Sequence, residues 1–149
     1  MSLIAPTDDL TTAMEIAEGL RLALRRLLRE FRRETHDLGL SKLQLILLIG
    51  VFEHPGIGVA ELARLENLRG PTVSPQIKAL EAAGIVAREA PNPEDRRRIG
   101  LVVTEKGRAM IETLRRNRTD WLTRRIAELS PDSRRALHDA IGPLGELVQ

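Results

Sequence analysis

The stretch Val59–Thr104, VAELARLENLRGPTVSPQIKALEAAGIVAREAPNPEDRRRIGLVVT, decides the fold. It reads as two short helices followed by a hairpin. The first helix, about Val59 to Glu66, turns Val59, Leu62, Ala63 and Leu65 towards a core. Asn67 follows, a residue that tolerates the left-handed conformation a tight interhelical corner often requires. In the second helix Val73, Ile77, Leu80 and, one turn on, Gly84 fall along one side, which makes that side the buried one. Gly84 ends the helix and IVARE starts a strand. LVVT returns as its partner after the tip APNPEDRRRIG, where two prolines and an asparagine shape the turn. Two helices at a tight corner and a hairpin behind them are the outline of a winged helix-turn-helix.

The second helix leaves Thr72, Ser74 and Gln76 facing outwards, with Lys78 and Ala79 towards the edge of that face. Short polar side chains carrying both donors and acceptors suit base edges in a major groove, and a lysine suits phosphate. The alternative is a solvated surface with no partner, and this helix alone does not choose between the two. Its start is also open. Gly70 and Pro71 can serve as N-cap and first residue, with Pro75 kinking the second turn, or Ser74 and Pro75 can fill those roles in a shorter helix. The longer form places Val73 on the buried stripe.

At the hairpin tip Arg96, Arg97 and Arg98 follow Glu94 and Asp95 directly. Three adjacent arginines repel one another, and the repulsion is relieved when phosphates approach and condensed counterions are released. Narrow minor grooves attract arginine in particular. An isolated triple arginine reads most simply as a solvated charge run. Between a helix-turn-helix pattern and LVVTEKG it points to double-stranded DNA. Alternate residues of an extended strand point to opposite sides, so the three cannot all enter one groove.

From Glu61 to Met110, ELARLENLRGPTVSPQIKALEAAGIVAREAPNPEDRRRIGLVVTEKGRAM resembles the DNA-binding core of the multiple antibiotic resistance regulator (MarR) family of bacterial transcription factors. The wing, PNPEDRRRIGLVVTEKGR, carries the strongest match, and the likeness weakens towards both ends. The resemblance implies that the Asp-x-Arg of the wing maps to Asp95 and Arg97, the arginine reaching DNA and the aspartate holding it. Arg96 and Arg98 are then expected on phosphates. Many relatives have an arginine where this chain has Pro75. A base-reading arginine is thus missing, which shifts the expected affinity towards Arg69, Lys78 and the wing. The resemblance also implies a small aromatic or anionic effector in a crevice between the dimer-forming helices and the DNA-reading lobe. His36 and His54, near the ends of the first two helices, are candidates to line it, although isolated histidines more often cap or sit on the surface.

The flanks of the central stretch read as helices. Between Asp8 and about His36 the apolar positions Leu10, Met14, Ala17, Leu20, Leu24, Leu27, Leu28 and Phe31 recur at steps of three and four. Thr7 is a plausible N-cap, with Asp8 and Asp9 favourable against the helix dipole. A long helix with one apolar stripe must lie against something, either a second subunit or the rest of its own chain. Gly39 breaks it, and Ser41 with Gln44 three residues on forms a capping box for KLQLILLIGVFEH, a nearly all-apolar helix expected to be buried on most sides.

After Thr104, a helix N-cap, EKGRAMIETLRRNRTDWLTRRIAEL carries Met110, Leu114, Trp121, Ile126 and Leu129 as apolar markers. Its RRNRTD segment is polar all round and is expected to cross solvent. Ser130 and Pro131 open a last helix with Leu137, Ile141, Leu144 and Val148 on one face, and Gly142 and Pro143 are expected to bend it. The expected architecture is mainly α with a small β-hairpin, in a single domain spanning 1–149. A winged-helix lobe at about 40–104 would lie between dimerisation helices at about 8–36 and 105–149, giving a homodimer.

Composition narrows the remaining choices. The 149 residues suffice for one domain with a core, and 42% hydrophobic with 30% charged residues is a globular balance. Aromatics at 2% leave that core to Leu, Ile, Val and Ala. A formal net charge of only +2 makes the position of the arginines, and not their number, the argument for a polyanionic partner. With no cysteine, disulfides and thiolate chemistry are excluded. No apolar run approaches the roughly 20 residues of a membrane span, and the start of the chain lacks the basic residues of a signal peptide, so a cytoplasmic location without membrane contact is expected. His36, His54 and His138 are far apart and no group has metal-ligand spacing, which argues against a metal or cofactor. No tyrosine, Gly-rich phosphate loop or carboxylate and histidine constellation suggests an enzyme. The remaining rival is a winged-helix protein-interaction module that does not read DNA.

Overall fold

A computed structural model describes residues 7–34, 38–97 and 99–148 of the chain. The elements run α1 (Thr7–Glu34), α2 (Lys42–Glu53), α3 (Val59–Leu65), α4 (Gly70–Ala82), β1 (Val86–Glu89), β2 (Gly100–Val103), α5 (Glu105–Ala127) and α6 (Pro131–Glu146). This is the winged helix-turn-helix order, with a long helix at the start and two helices at the end.

The core is built where the central elements meet. Leu47, Leu48 and Val51 of α2, Leu62 of α3 and Val73, Ile77 and Leu80 of α4 are almost wholly buried, together with Ile85, Val86, Leu101 and Ile111. Full burial of one such side chain is worth about 1.5–3 kcal/mol, so this cluster supplies the main driving force. The apolar α2 lies at its centre, as its composition requires. Its start is fixed by the expected capping box: Gln44 N donates to Ser41 Oγ at 3.1 Å, and Ser41 N to Gln44 Oε1 at 3.0 Å. Leu65 departs from expectation. It is 47% exposed, because the face that α3 turns to Gly50 of α2 carries Leu62 and Glu66, and Leu65 falls to one side of it.

The corner itself is local chemistry. Asn67 takes φ 53°, and Leu68 N donates to Ala63 O at 2.8 Å, closing α3 while turning the chain into α4. Arg69 is the N-cap and α4 runs from Gly70 through Pro75 without interruption, so the longer of the two possible helices is the one formed, its cap one residue earlier than Gly70. Pro75 offers no N–H to Pro71 O and costs the helix roughly 3 kcal/mol in an interior position. Burial of Val73, wholly enclosed, offsets much of that, and a helix beginning at Ser74 would forfeit it. Gly84, expected on the buried side, is exposed with φ +71°, since it has left the helix to turn the chain into β1.

The hairpin pairs antiparallel, Val86 with Val103 through Glu89 with Gly100. A third segment reaches it at Ile57, which bridges Leu101: Gly56 N donates to Leu101 O at 2.7 Å and Leu101 N to Ile57 O at 2.9 Å. Two glycines allow this approach. Gly56 sits at φ +88°, and a Cβ on Gly100 would collide with the Gly56 carbonyl oxygen.

The outer helices are amphipathic and largely uncovered. On α1, Leu10, Met14 and Ile16 are 63–65% exposed, and on α6 Leu137, Ile141 and Leu144 are exposed as well. α6 continues through Gly142 and Pro143 in one helical span. The RRNRTD segment of α5 is not solvated all round. Asn117 and Arg118 are half-buried, and Phe31 of α1 meets Trp121 of α5 edge to face at 5.6 Å between ring centroids. Thr7 stands as the first helical residue of α1, so the helix begins at the position read from sequence as its cap.

Candidate nucleic-acid interface

Burial of Val73, Ile77 and Leu80 fixes which way α4 faces. Thr72 and Lys78 are exposed on its far side, as expected, and Arg69 is exposed at its N-cap. Ser74 and Gln76 are half-buried at the flanks, one to either side of the core stripe. The positions most directly opposite the core are instead Pro71, Pro75, Lys78, Ala79 and Ala82, all exposed.

The wing is attached to this helix by its first strand. Arg88 Nε of β1 donates to Glu81 Oε1 of α4 at 2.8 Å. The backbone contributes as well, with Ile85 N donating to Leu80 O at 2.9 Å. From that anchorage the chain runs out to a tip ordered by two side-chain turns. Asn92 Oδ1 accepts from Glu94 N at 3.1 Å, and Asp95 Oδ1 accepts from Arg97 N at 3.2 Å. Asp95 therefore grips Arg97 through its backbone, which leaves the guanidinium unspent. Among the described residues neither Arg96 nor Arg97 has a carboxylate within ion-pair distance, and both are exposed. Arg98, the third of the run, lies outside the described residues.

The junction behind the wing ties α4 to α5. Thr104 Oγ1 lies 2.6 Å from Gly84 O and accepts the amide of Gly107 at 3.2 Å, so one hydroxyl both caps α5 and holds the turn that ends α4. Lys106 Nζ donates to Ala83 O at 2.7 Å, one residue earlier. Gly107 is packed so tightly on Ile85 O that a Cβ there would overlap it.

A second feature lies between α1, α2 and α5. A cavity of about 420 Å³ is lined by Leu28, Phe31, Leu45, Ile46 and Ile49, with Arg118 as a cationic group in its wall. The guanidinium carbon of Arg118 stands 5.4 Å from the Phe31 ring centroid. Its Nε is buried and has no hydrogen-bond partner among the described residues. Partial desolvation lowers its pKa from the usual value. The sequence carried a signal for this residue: Arg118 continues the buried series Gly107, Ile111 and Leu114 at steps of four and three. His54 does not line this cavity. It sits at the C-cap of α2 with Nδ1 3.2 Å from Gly50 O, while His36 lies outside the described residues.

Among the described residues no group of three or more His, Asp or Glu could hold a metal ion, and no helix is long and apolar enough to cross a membrane.

This geometry has counterparts among known proteins. The MarR family model matches residues 40–99, from the capping box of α2 to the end of the wing tip. An HTH-type transcriptional regulator of Mycobacterium leprae is 32% identical over 133 residues, covering 89% of this chain and 92% of that protein. Among solved structures, a transcriptional regulator protein from Pseudomonas aeruginosa superposes with TM-score 0.75 at 27% identity, covering 97% of this chain and 99% of that one. A mutant of S. aureus MepR bound to an oligodeoxyribonucleotide shares the fold, with TM-score 0.65 at 18% identity over 89% of this chain and 97% of its own. With its helix corner, its anchored wing and a relative matched over nearly the whole length, the chain belongs to the MarR family of DNA-binding, winged-helix transcriptional regulators.

Proposed function

We propose that this protein is a homodimeric, ligand-responsive repressor that binds a pseudo-palindromic operator in the cytoplasm. The lobe at about 40–104 reads the DNA and the helices at about 8–36 and 105–149 form the dimer. Each α4 enters a major groove, the two successive grooves about one helical turn apart, and each wing lies in a flanking minor groove. Arg69 and Lys78 meet phosphates, Thr72, Ser74 and Gln76 lie along the groove, Arg97 enters the minor groove, and Arg96 and Arg98 take the backbone beside it. A dimer lying across a promoter represses by occupying it.

The observation that carries this reading is the wing tip. Arg96 and Arg97 stand exposed with no carboxylate partner among the described residues, on a turn ordered by Asp95 and anchored to α4 by the Arg88–Glu81 pair. Dimerisation is supported by the uncovered stripes of α1 and α6, whose exposed Leu10, Met14, Ile16 and Ile141 are each more than 60% accessible. Ligand response is supported by the cavity beside Arg118, whose mainly apolar lining with Arg32, Lys42 and Arg118 as cationic groups matches a small aromatic anion. An occupant there would press on α1, α2 and α5 together, and α5 is tied to the end of α4 through Thr104.

Fluorescence anisotropy of the full chain on the promoter beside its own gene tests the reading. Specific binding appears as affinity well above that for random duplex at ~150 mM salt, and equal affinities would reject it. Arg97→Ala separates it from a winged-helix interaction module, in which the wing arginine would leave DNA affinity unchanged. Light scattering at micromolar concentration should give twice the 16.6 kDa of one chain.

A further inference from the structure

The outermost face of α4 is nearly apolar. Pro71, Pro75 and Ala79 follow one another at steps of four and form a ridge opposite the core, with Ala82 beside it and Thr72 contributing a methyl group at its N-terminal end. All five are exposed, and Lys78 is the one cation among the positions opposite the core. The polar flanks, Ser74 and Gln76, are half-buried and set back. A ridge of this kind is poor at donating hydrogen bonds to guanine O6 and N7, the contacts for which a forked, cationic side chain is suited. It is well suited to the one apolar group that base pairs display in the major groove, the C5-methyl of thymine.

We propose that α4 selects its half-site by packing Pro71, Pro75, Ala79 and the Thr72 methyl against thymine methyl groups, and not by hydrogen-bonding guanine. The proposal rests on the DNA-reading function proposed above and adds the class of base that α4 recognises. The occupant follows from charge as well as shape: Arg69 and Lys78 border the ridge, and Arg96 and Arg97 stand exposed on the wing that is tied to the same helix, a set of cations that a phosphate backbone complements. Proline has a further advantage at this position. Its ring presents a rigid apolar surface with no rotamers to freeze on binding.

The test starts from a duplex selected by the full chain out of a random library. Each thymine is then replaced by deoxyuridine, which removes the methyl and leaves the pairing. Two or more substitutions in each half-site should weaken binding by about fourfold apiece, the order expected for one buried methyl. In Pro75→Ala, a change that favours the helix, the penalty at the thymine facing position 75 should shrink to less than about twofold. Should every deoxyuridine duplex bind as well as the parent, with guanine changes dominating, the proposal is overturned while DNA reading stands. Should selection return no duplex bound better than random sequence, both fall together.

Discussion

The hydroxyl of Thr104 lies 2.6 Å from the carbonyl oxygen of Gly84 while accepting the amide of Gly107, so the residue that starts α5 also fastens the end of α4. The backbone reinforces it, Thr104 N donating to Ile85 O at 3.1 Å. Thr104→Val keeps the shape and removes the cap, which should cost about 1–2 kcal/mol. Thermal unfolding should show a Tm lower by several degrees, with Thr104→Ser close to the parent. Equal Tm values for all three would remove the hydroxyl from the account.

Glycine positions divide sharply by what surrounds them. Gly100→Ala drives a methyl into the Gly56 carbonyl and must displace a strand, so a loss of about 3 kcal/mol or a failure to accumulate as folded protein is expected. Gly145→Ala in α6 meets nothing within 4 Å and improves helix propensity, so its stability should equal or exceed the parent's. Urea denaturation of the pair reads the contrast, and similar midpoints would refute the packing at Gly56.

At the wing, Asp95 acts through an acceptor oxygen on the Arg97 amide. Asp95→Asn retains that oxygen and removes a negative charge next to phosphate, so operator affinity should hold or rise. Asp95→Ala releases the turn and should weaken binding by about fivefold, the worth of one hydrogen bond near 1 kcal/mol. If Asn and Ala behave alike, the charge and not the turn is what matters.

Arg96 and Arg97 should differ in kind. Arg96→Ala should lower affinity for every duplex and reduce the slope of log K against log salt by about 0.9, as loss of one phosphate contact does. Arg97→Ala should lose about tenfold on the operator and much less on random DNA, because narrow minor grooves depend on sequence. A salt titration on both duplexes distinguishes them.

The half-buried Arg118 supplies the last test. Its Nε has no partner among the described residues, so Arg118→Met should be close to neutral or stabilising in the free protein. In the parent, an aromatic carboxylate such as benzoate at 100 times its Kd should add about 2.7 kcal/mol of stability, and in Arg118→Met the shift should vanish. A benzoate shift unchanged in the variant would place the ligand elsewhere.

Much of this molecule is legible in local sequence because its devices are local. The Ser41 and Gln44 capping box, the left-handed Asn67 and the Asn92 and Asp95 turns depend on neighbours within a few residues, and each forms as its residues dictate. The three- and four-residue spacing likewise fixed the helices and, through Val73, Ile77 and Leu80, the inner side of α4.

What required tertiary structure was every choice that turns on what lies opposite. The sequence left two starts for α4, and the enclosure of Val73 decided for the longer helix across Pro75. Leu65 was expected inwards, whereas the surface of α2 takes Leu62 and Glu66 at Gly50 and leaves Leu65 exposed. A run of charges read as solvated, yet α1 brings Phe31 over Arg118 and takes its Nε out of water. The physical reason is common to all three: sequence sets which side chains share a face, but the free energy of burying one depends on the surface that another element presents to it.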